Sequence, residues 1–489
     1  MKSIFIIIAL SLLMISCGVT KRDFDASYAN IEVKSAYLNQ DSTEAFNNVA
    51  PIIAWWSTFN DPALDTLINR ARLHNLDINV AVANFYASRA ILKETKLDRF
   101  PTVTANGNYS RQRLGENVFI EGFNPTFNQY NGSFDASWES GLFGRVSNRI
   151  KGAYAEVQIS QADLRNVYLS IFSEVARNYI TLRGLQYQLD IAYRNLEDQQ
   201  STYDLVASRY EAGTGNNLNV SRALAQLEAT RATIPPLRAG IEAVKNSLSV
   251  LIGEVPGNLN NDIISKKPLP DLPATVSIGD VNDLLRRRPD VQLAESELAR
   301  QIAQYNLSVA ELYPNVTFNG SIGFSAIDFS SFGQNQSFTW GLAPRISWAA
   351  FNLGRVKQQI RRDDALTLAA INQYEKVMLK ALEEISTALT NYSNELERRE
   401  LLRKSSAASA EAARFAKDRY TSGLDSFIDY LNADLTLLQA ENQLAISEIA
   451  SATNLIAIYK ALGGGWEIAS EEEIKNKFNQ IKDSHVSLP

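Results

Sequence analysis

Residues 137–145 read SWESGLFGR, and residues 347–355 read SWAAFNLGR. The two tryptophans lie 210 residues apart, and the same shift matches residues 209–213 with residues 419–423. Upstream of the tryptophans the matching shift becomes 213, so the copies differ by three residues. A fixed long offset indicates two copies of one structural unit, which pack together because neither buries its apolar face alone.

Four segments near the tryptophans alternate apolar and polar residues, which is the period of a β-strand. The clearest is VTFNGSIGF, and the four segments are residues 101–111, 128–138, 316–324 and 337–348. Each is about ten residues long, the length that crosses a bilayer at a tilt, and aromatic residues cluster at the ends. Four strands cannot close a membrane barrel, and open strand edges are not tolerated in lipid. If these strands span a membrane, the chain must oligomerise, and a trimer would supply twelve strands.

The rest of the chain is dominated by segments with helical periodicity. These are residues 62–98, 145–211, 217–252, 280–311, 354–420 and 427–461. Asp61-Pro62 is a typical helix start, and we expect Pro235-Pro236 to interrupt the third helix. The narrow apolar seam of the long segments favours antiparallel coiled-coil packing, although a solvated helical bundle is an alternative. The connections at residues 112–127 and 325–336 are expected to be exposed loops.

The N-terminus has the features of an export signal. Lys2 precedes an apolar run that is about half the length of a membrane-spanning helix, and Ser16 and Cys17 follow it. This arrangement resembles the lipobox of bacterial lipoproteins, in which the cysteine is acylated after residues 1–16 are removed. The alternative is an incidental cysteine in a cleaved peptide. Cys17 is the only cysteine of the chain, so no disulfide is expected.

The net charge argues against a nucleic-acid partner. It is −6 for the whole chain and becomes −7 once the signal, with its single Lys2, is removed. The basic run Arg286-Arg287-Arg288 precedes Pro289, so we interpret it as a helix start whose arginine stems cover apolar surface. Anion binding is the alternative interpretation.

Several motifs together resemble the TolC-type outer-membrane factors, specifically the NodT-type lipoprotein branch. They are WWSTFNDPALDTLINRA from residue 55, SWESGLFGR, LLRRRPDVQLAESEL from residue 284, AELYPNV, YTSGLDSFIDYLNA from residue 420, and YKALGGGW ending at residue 466. The resemblance implies a mixed, mainly α-helical fold. In it, a trimeric twelve-stranded transmembrane β-barrel, with four strands per chain, continues into a long α-helical coiled-coil barrel beside a small equatorial mixed region.

The resemblance also implies a location and partners. The protein would be lipid-anchored in the outer membrane of a Gram-negative bacterium and extend into the periplasm. As a homotrimer, it would work with a periplasmic adaptor protein and an inner-membrane pump of the RND type. The expected divisions are a lipoprotein signal at 1–16, an anchor and equatorial segment at 17–60, repeat 1 at 61–253, a linker at 254–279, repeat 2 at 280–465 and an equatorial tail at 466–489.

A periplasmic gate is implied on the last long helix. The matching positions are Ile428, Asp429 and Asn432, and Asp425 lies on nearly the same helical face. In a trimer each would form a ring of three, the way channels build constrictions. Capping of the helix start is an alternative role for Asp425, and Asp429 could be an ordinary solvated acid.

Two further features concern the same end of the helices. Gly213 and Gly423 match the glycine that commonly follows the last turn of a helix. Each would lie in the turn between two long helices, at the end that we call the tip. A contact from Arg222 to Asp429 or Asp425 of a neighbouring hairpin is our hypothesis for a latch of the closed state.

No constellation of catalytic residues is evident. His74 and His485 are isolated, and we find no paired carboxylates, nucleophile motif or phosphate loop. We therefore predict no enzyme activity, no metal site and no cofactor other than the covalent lipid on Cys17. The leading interpretation is a passive exit duct for small molecules. The alternatives are a duct for secreted polypeptides and a periplasmic coiled-coil scaffold without a pore.

Overall fold

The computed structural model describes residues 21–23, 46–47, 49–50, 52–115, 125–259, 265–279 and 285–485. The expected signal at 1–16, the lipidation site Cys17 and most of the loop expected at 112–127 lie outside the described residues. The chain divides into two compact units. Unit 1 contains Met1–Asn30, Phe85–Ser160 and Leu293–Glu375, and unit 2 contains Ile31–Asn84, Gln161–Gln292 and Lys376–Pro489. Each unit therefore takes segments from both sequence copies.

In both copies a helix, two strands and two long helices follow one another in the same order. The long helices are α1 (Pro62–His74), α2 (Leu76–Leu97), α3 (Arg145–Glu211), α4 (Asn217–Leu251), α5 (Pro289–Ala310), α6 (Leu353–Thr421), α7 (Phe427–Ala461) and α8 (Glu471–His485). The strands are β1 (Phe46–Asn47), β2 (Thr102–Arg113), β3 (Thr126–Glu139), β4 (Val276–Ser277), β5 (Asn315–Ala326) and β6 (Phe338–Ser347). No helix within the described ranges is both long enough and apolar enough to cross a bilayer.

Unit 1 contains one antiparallel sheet in the order β2-β3-β5-β6, so the two copies meet where β3 pairs with β5. The register places Phe134 opposite Ile322, and Ile322 opposite Trp340. These three side chains are 60%, 50% and 74% exposed, so the apolar face of the sheet is uncovered in the single chain. The opposite face is polar, and Ser137 there donates to Asn319 at 3.0 Å. The predicted alternation of four strands is confirmed.

Unit 2 is built around aromatic residues close to the start of α1. Trp55 stacks on Tyr459 with 5.2 Å between ring centroids, and its indole nitrogen donates to the carbonyl of Gly464 at 3.2 Å. Asp61 then caps α1, because its carboxylate accepts from the Ala63 amide at 2.9 Å. This confirms the helix start predicted from Asp61-Pro62.

Two predictions about helix continuity are wrong. The segment 62–98 is split at Asn75, whose backbone is extended and whose side chain accepts from the Ile78 amide at 3.0 Å, which caps α2. Conversely, α4 continues through Pro235 and Pro236. Proline has the φ of an α-helix, and the carbonyls that lose their partners belong to exposed residues 231 and 232, where water can bind them.

The segments that flank the copies also have structure that periodicity did not predict. β1 pairs in parallel with β4, so parts of the segments expected at 17–60 and 254–279 lie side by side. In the tail, the Lys477 ammonium on α8 donates to the carbonyls of Arg72 and Leu73 at the end of α1, at 2.7 and 2.9 Å. Burial lowers the pKa of Lys477 to about 8.

Candidate gate at the helical tips

α3 and α6 end in the same kind of turn, at Gly213 and Gly423. Their φ angles are 76° and 73°, in the left-handed region that favours glycine. In both turns the glycine amide donates to the carbonyl three residues back at 3.0 Å, and the next amide donates to the carbonyl five residues back at 2.9 Å. This is a Schellman motif, which satisfies the last carbonyls of a helix. The structure thus places both glycines directly after the helix C-caps.

In unit 2, an aromatic cluster packs the hairpin of α3 and α4 against the hairpin of α6 and α7, close to their turns. Tyr420 lies parallel to Tyr430 at 6.0 Å and contacts Phe427 at 5.5 Å. Val206 of α3 and Ala223 of α4 complete the buried cluster. Apolar burial of this size stabilises the packing of α7 against the first hairpin by several kcal/mol, on the order of 2 kcal/mol per large side chain.

Equivalent arginines in the two copies make different contacts. Arg419 forms a bidentate pair with Asp425, at 2.6 and 2.8 Å, inside its own turn. Arg209 has Gly215 at the position that matches Asp425, so it reaches across to the other hairpin. There its guanidinium donates to the carbonyls of Tyr420 and Thr421 at 3.1 and 2.7 Å. It also lies 4.6 Å from the centroid of the Tyr420 ring.

The pairing of Asp425 decides its role in the single chain. The residue lies before the N-cap of α7, which is Ser426, so it does not occupy the first turn of the helix. The Arg419 guanidinium holds the pKa of the Asp425 carboxyl below its usual range, which keeps the carboxylate ionised. An ionised acid is therefore fixed at the second tip.

The other expected gate residues lie on the exposed side of α7. Asp429 accepts a hydrogen bond from the Ser426 hydroxyl at 2.6 Å, and Ile428 and Asn432 are exposed. Phe427 and Tyr430 occupy the buried side. Arg222 is exposed on α4, and its guanidinium forms no ion pair with any residue that the structure describes. One chain therefore does not bring Arg222 to Asp425 or Asp429, and the latch between hairpins stays a prediction.

A polar site beneath the tip cluster was not predicted from the sequence. Asp434 of α7 accepts a hydrogen bond from the Gln199 amide group of α3. Burial raises the pKa of Asp434 to about 6, with the nearby Asp198 adding to the effect. One turn closer to the tip, the hydroxyls of Thr202 and Tyr430 lie 2.9 Å apart. The sequence contains only a weak signal for this site, because a single acidic residue on a helix does not show which face of the helix is partly buried.

The basic run before α5 is structural. The Arg288 guanidinium, 5% exposed, donates to Asp290 at 2.7 Å, to Glu384 at 2.6 Å and to the carbonyl of Ala461 at 2.6 Å. Arg287 pairs with Glu467. These contacts support a structural role for Arg287 and Arg288, while Arg286 is exposed. Within the part of the chain that the structure describes, no group of three or more His, Cys, Asp or Glu residues could hold a metal ion.

Known proteins resemble the chain over most of its length. The outer membrane efflux protein family matches residues 67–254 and 281–464, well over half of the chain. The probable efflux pump outer membrane protein TtgC of Pseudomonas putida is 30% identical over 429 residues, which are 87% of each protein. Nodulation protein T of Rhizobium leguminosarum bv. trifolii is 25% identical over 461 residues, covering 93% of this chain and 96% of its own.

Two solved structures extend the likeness to the fold. The outer-membrane channel OprN is 34% identical with a TM-score of 0.85, covering 92% of this chain and 100% of its own. The open state of the Neisseria gonorrhoeae MtrE outer membrane channel is 27% identical with a TM-score of 0.77, covering 87% and 96%. The predicted fold class and the predicted family are confirmed. The chain belongs to the family of outer membrane efflux proteins.

Proposed function

We propose that three copies of this chain form a passive exit duct for small molecules across the outer membrane. The observation that carries the proposal is the four-stranded sheet of unit 1. Its strands are 10 to 14 residues long, one face exposes an apolar row, and β2 and β6 are unpaired edges. Lipid would cover the apolar face, and edge pairing between three chains would satisfy the open backbone groups.

Small molecules are the cargo that the relatives favour. A toluene efflux pump outer membrane protein and an antibiotic efflux pump outer membrane protein of Pseudomonas putida are each 30% identical to this chain over 429 residues. A duct has no energy source of its own, so we propose that a periplasmic adaptor and an inner-membrane pump drive export. Cys17, when acylated, would anchor the mature N-terminus to the membrane.

The second tip turn and the start of α7 are the proposed gate. In a trimer, Asp429 would form a ring of three negative charges and Asp425 a ring of three carboxylates that are each paired with Arg419, with Ile428 as an apolar ring between them. The neutral Asn432 would add no charge. The Arg419 pair holds Asp425 at the tip, and the aromatic cluster holds α7 in place.

Single-channel recording in planar bilayers tests the duct. The purified full-length protein should insert as a trimer and conduct ions, and deletion of its gene should sensitise cells to drugs, dyes or metals. A protein that extracts as a soluble helical species and never conducts would rule out the duct in favour of a scaffold. Loss of a secreted polypeptide with unchanged drug sensitivity would instead support polypeptide export.

The latch is tested separately. Arg222→Ala should raise the single-channel conductance, because the closed state would lose a contact to an acid of the neighbouring hairpin. The control is Arg231→Ala on the same helix, because Arg231 pairs with Glu228 of α4 itself at 2.5 Å. Equal conductance in both variants would contradict the latch hypothesis.

A further inference from the structure

A cavity of about 450 Å³ lies in unit 1 next to the base of the sheet. Its walls are the N-terminal segment at Arg22, the end of α2, the start of α3 and the middle of α5. The walls are held in place by packing, since Leu92 of α2 forms a buried cluster with Val146 and Ile150 of α3. An ion pair between Arg149 and Asp98, at 2.8 Å, joins the same two helices. The cavity is therefore formed in advance of any ligand.

The cavity is lined by several positive charges that form no ion pair with the residues the structure describes. Lys96, Arg99 and Lys151 line it, and none of them forms an ion pair within the described ranges of the chain. The single acidic side chain of the lining is Asp23. An anion is the ligand that such a site would bind, because three positive charges with no ion-pair partner in the described ranges lie around one space.

Arg22 of the same wall is already occupied. It pairs with Asp364 at 2.6 Å and lies over the ring of Tyr305, and its backbone exchanges two hydrogen bonds with the side chain of Asn306, at 2.9 and 2.6 Å. These contacts fix the N-terminal segment to unit 1. The five residues back to Cys17 can span at most about 18 Å. An acyl group on Cys17 would thus lie no farther than about 18 Å from Arg22 of this cavity.

Lys96 and Arg99 lie at the depth of lipid headgroups, given that β2 crosses the membrane as the proposed function requires. Arg99 precedes the first residue of β2 by three positions, and Lys96 is in the last turn of α2. The polar layer on each side of a bilayer is roughly 5–8 Å thick. Leu97 and Phe100, next to these cations in the chain, are 64% and 65% exposed, so apolar and basic side chains lie together as they do at membrane interfaces.

We propose that this cavity binds the headgroup of an anionic glycerophospholipid of the periplasmic leaflet. Lys96, Arg99 and Lys151 contact the phosphate, and Tyr154 and Ile302 of the lining contact the glycerol and upper acyl carbons. Phosphate is the shared chemistry of a lipid headgroup and of free inorganic phosphate. The exposed Leu97 and Phe100 favour the lipid, because a soluble anion gains no binding energy from contact with apolar side chains. The proposal rests on the proposed function, since it places unit 1 in the membrane.

Lipid retention tests the site. Full-length protein is reconstituted in vesicles with equal amounts of phosphatidylglycerol and phosphatidylcholine, extracted in mild detergent, and its retained lipids are counted by native mass spectrometry. The wild type should retain phosphatidylglycerol in preference to phosphatidylcholine. In the triple variant Lys96→Gln, Arg99→Gln, Lys151→Gln, the ratio of retained phosphatidylglycerol to phosphatidylcholine should fall by about tenfold or more. Each basic group near an anionic surface contributes roughly fivefold to the binding constant.

The matched control removes three other exposed cations, with Lys376→Gln, Lys380→Gln and Arg414→Gln on α6, and should retain the preference. Should the triple variant fail to assemble, Lys151→Gln alone should lower the preference severalfold, and high salt should lower that of the wild type. Equal retention of the two lipids by the wild type, or equal loss in both triple variants, would overturn the proposal. Displacement of the lipid by millimolar inorganic phosphate would assign the site to the soluble anion and overturn it too.

The two proposals fail in different ways. A wild-type protein that conducts ions but retains both lipids equally refutes the lipid site and leaves the duct standing. A protein that prefers phosphatidylglycerol but never conducts supports the lipid site and contradicts the duct.

Discussion

Replacing Arg209 with alanine should loosen the end of α6 at the tip. The side chain donates to two carbonyls of that helix end, at 3.1 and 2.7 Å, and lies 4.6 Å from the centroid of the Tyr420 ring. Half-exposed hydrogen bonds of this kind contribute about 0.5–1 kcal/mol each, and the cation–π contact adds about 0.5 kcal/mol. The sum is about 2 kcal/mol. Local opening of the helix end should therefore become roughly 30-fold more frequent.

Amide hydrogen exchange measures this opening directly. The amides of residues 415–421 should exchange roughly 30-fold faster in Arg209→Ala than in the wild type, and the single-channel conductance should rise if the same contacts close the gate. Arg209→Lys keeps the charge but loses the planar guanidinium, so its exchange rate should lie between those of the wild type and Arg209→Ala. The control is Arg414→Ala, because Arg414 is exposed on α6 and stacks on its own neighbour Phe415. Exchange that rises equally in Arg209→Ala and Arg414→Ala would refute the reasoning.

Three further predictions concern buried charge and backbone geometry. The pKa of Asp434 is raised from 3.8 to about 6, so the folded state binds more protons between those values, and the stability of the tip should fall as the pH rises from about 4 through about 6. Asp434→Asn should remove this pH dependence and raise the stability at pH 7.5 by about 1–2 kcal/mol, which amide exchange of α7 would detect; an unchanged pH profile would contradict the assignment. Gly213→Ala should cost only about 1 kcal/mol, from backbone strain, because no heavy atom lies within 4 Å of the added carbon. Gly253→Ala should cost clearly more, because its new carbon would collide with the carbonyl of His74, and equal thermal unfolding midpoints for the two variants would speak against this. Arg288→Met should lower the unfolding free energy by about 1–2 kcal/mol, because it removes the hydrogen bonds from the guanidinium to the half-exposed Asp290 and Glu384 and to the carbonyl of Ala461, and a loss below about 0.5 kcal/mol in denaturant titrations would disprove it.

Much of the fold was predictable because its signals are local. Alternation marked the four strands, and their apolar positions do fall in one row across the sheet. The helical period marked the long helices, and glycines at 213 and 423 marked their ends. Errors arose where a residue has two local roles: Asn75 caps a second helix where periodicity predicted one, and Pro235 and Pro236 continue a helix that they were expected to interrupt.

The tertiary structure decided which partners the repeated residues take. Arg209 and Arg419 occupy equivalent positions, yet one binds the end of α6 and the other binds Asp425. The sequence recorded both the repeat and the glycine that replaces the acid in the first copy. It did not reveal that the first arginine would reach a helix end 212 positions away.

Local sequence patterns were enough to predict the repeat, the four strands, most of the helices and the family, because periodicity and turn chemistry act between near neighbours. The packing of remote segments decides that Asp434 is partly buried, that Arg222 has no ion-pair partner among the described residues of one chain, and that basic side chains of α2 and α3 line one cavity with Arg22. Burial and charge pairing depend on segments that are remote in sequence. Their packing, which no local pattern encodes, sets the environment of each side chain.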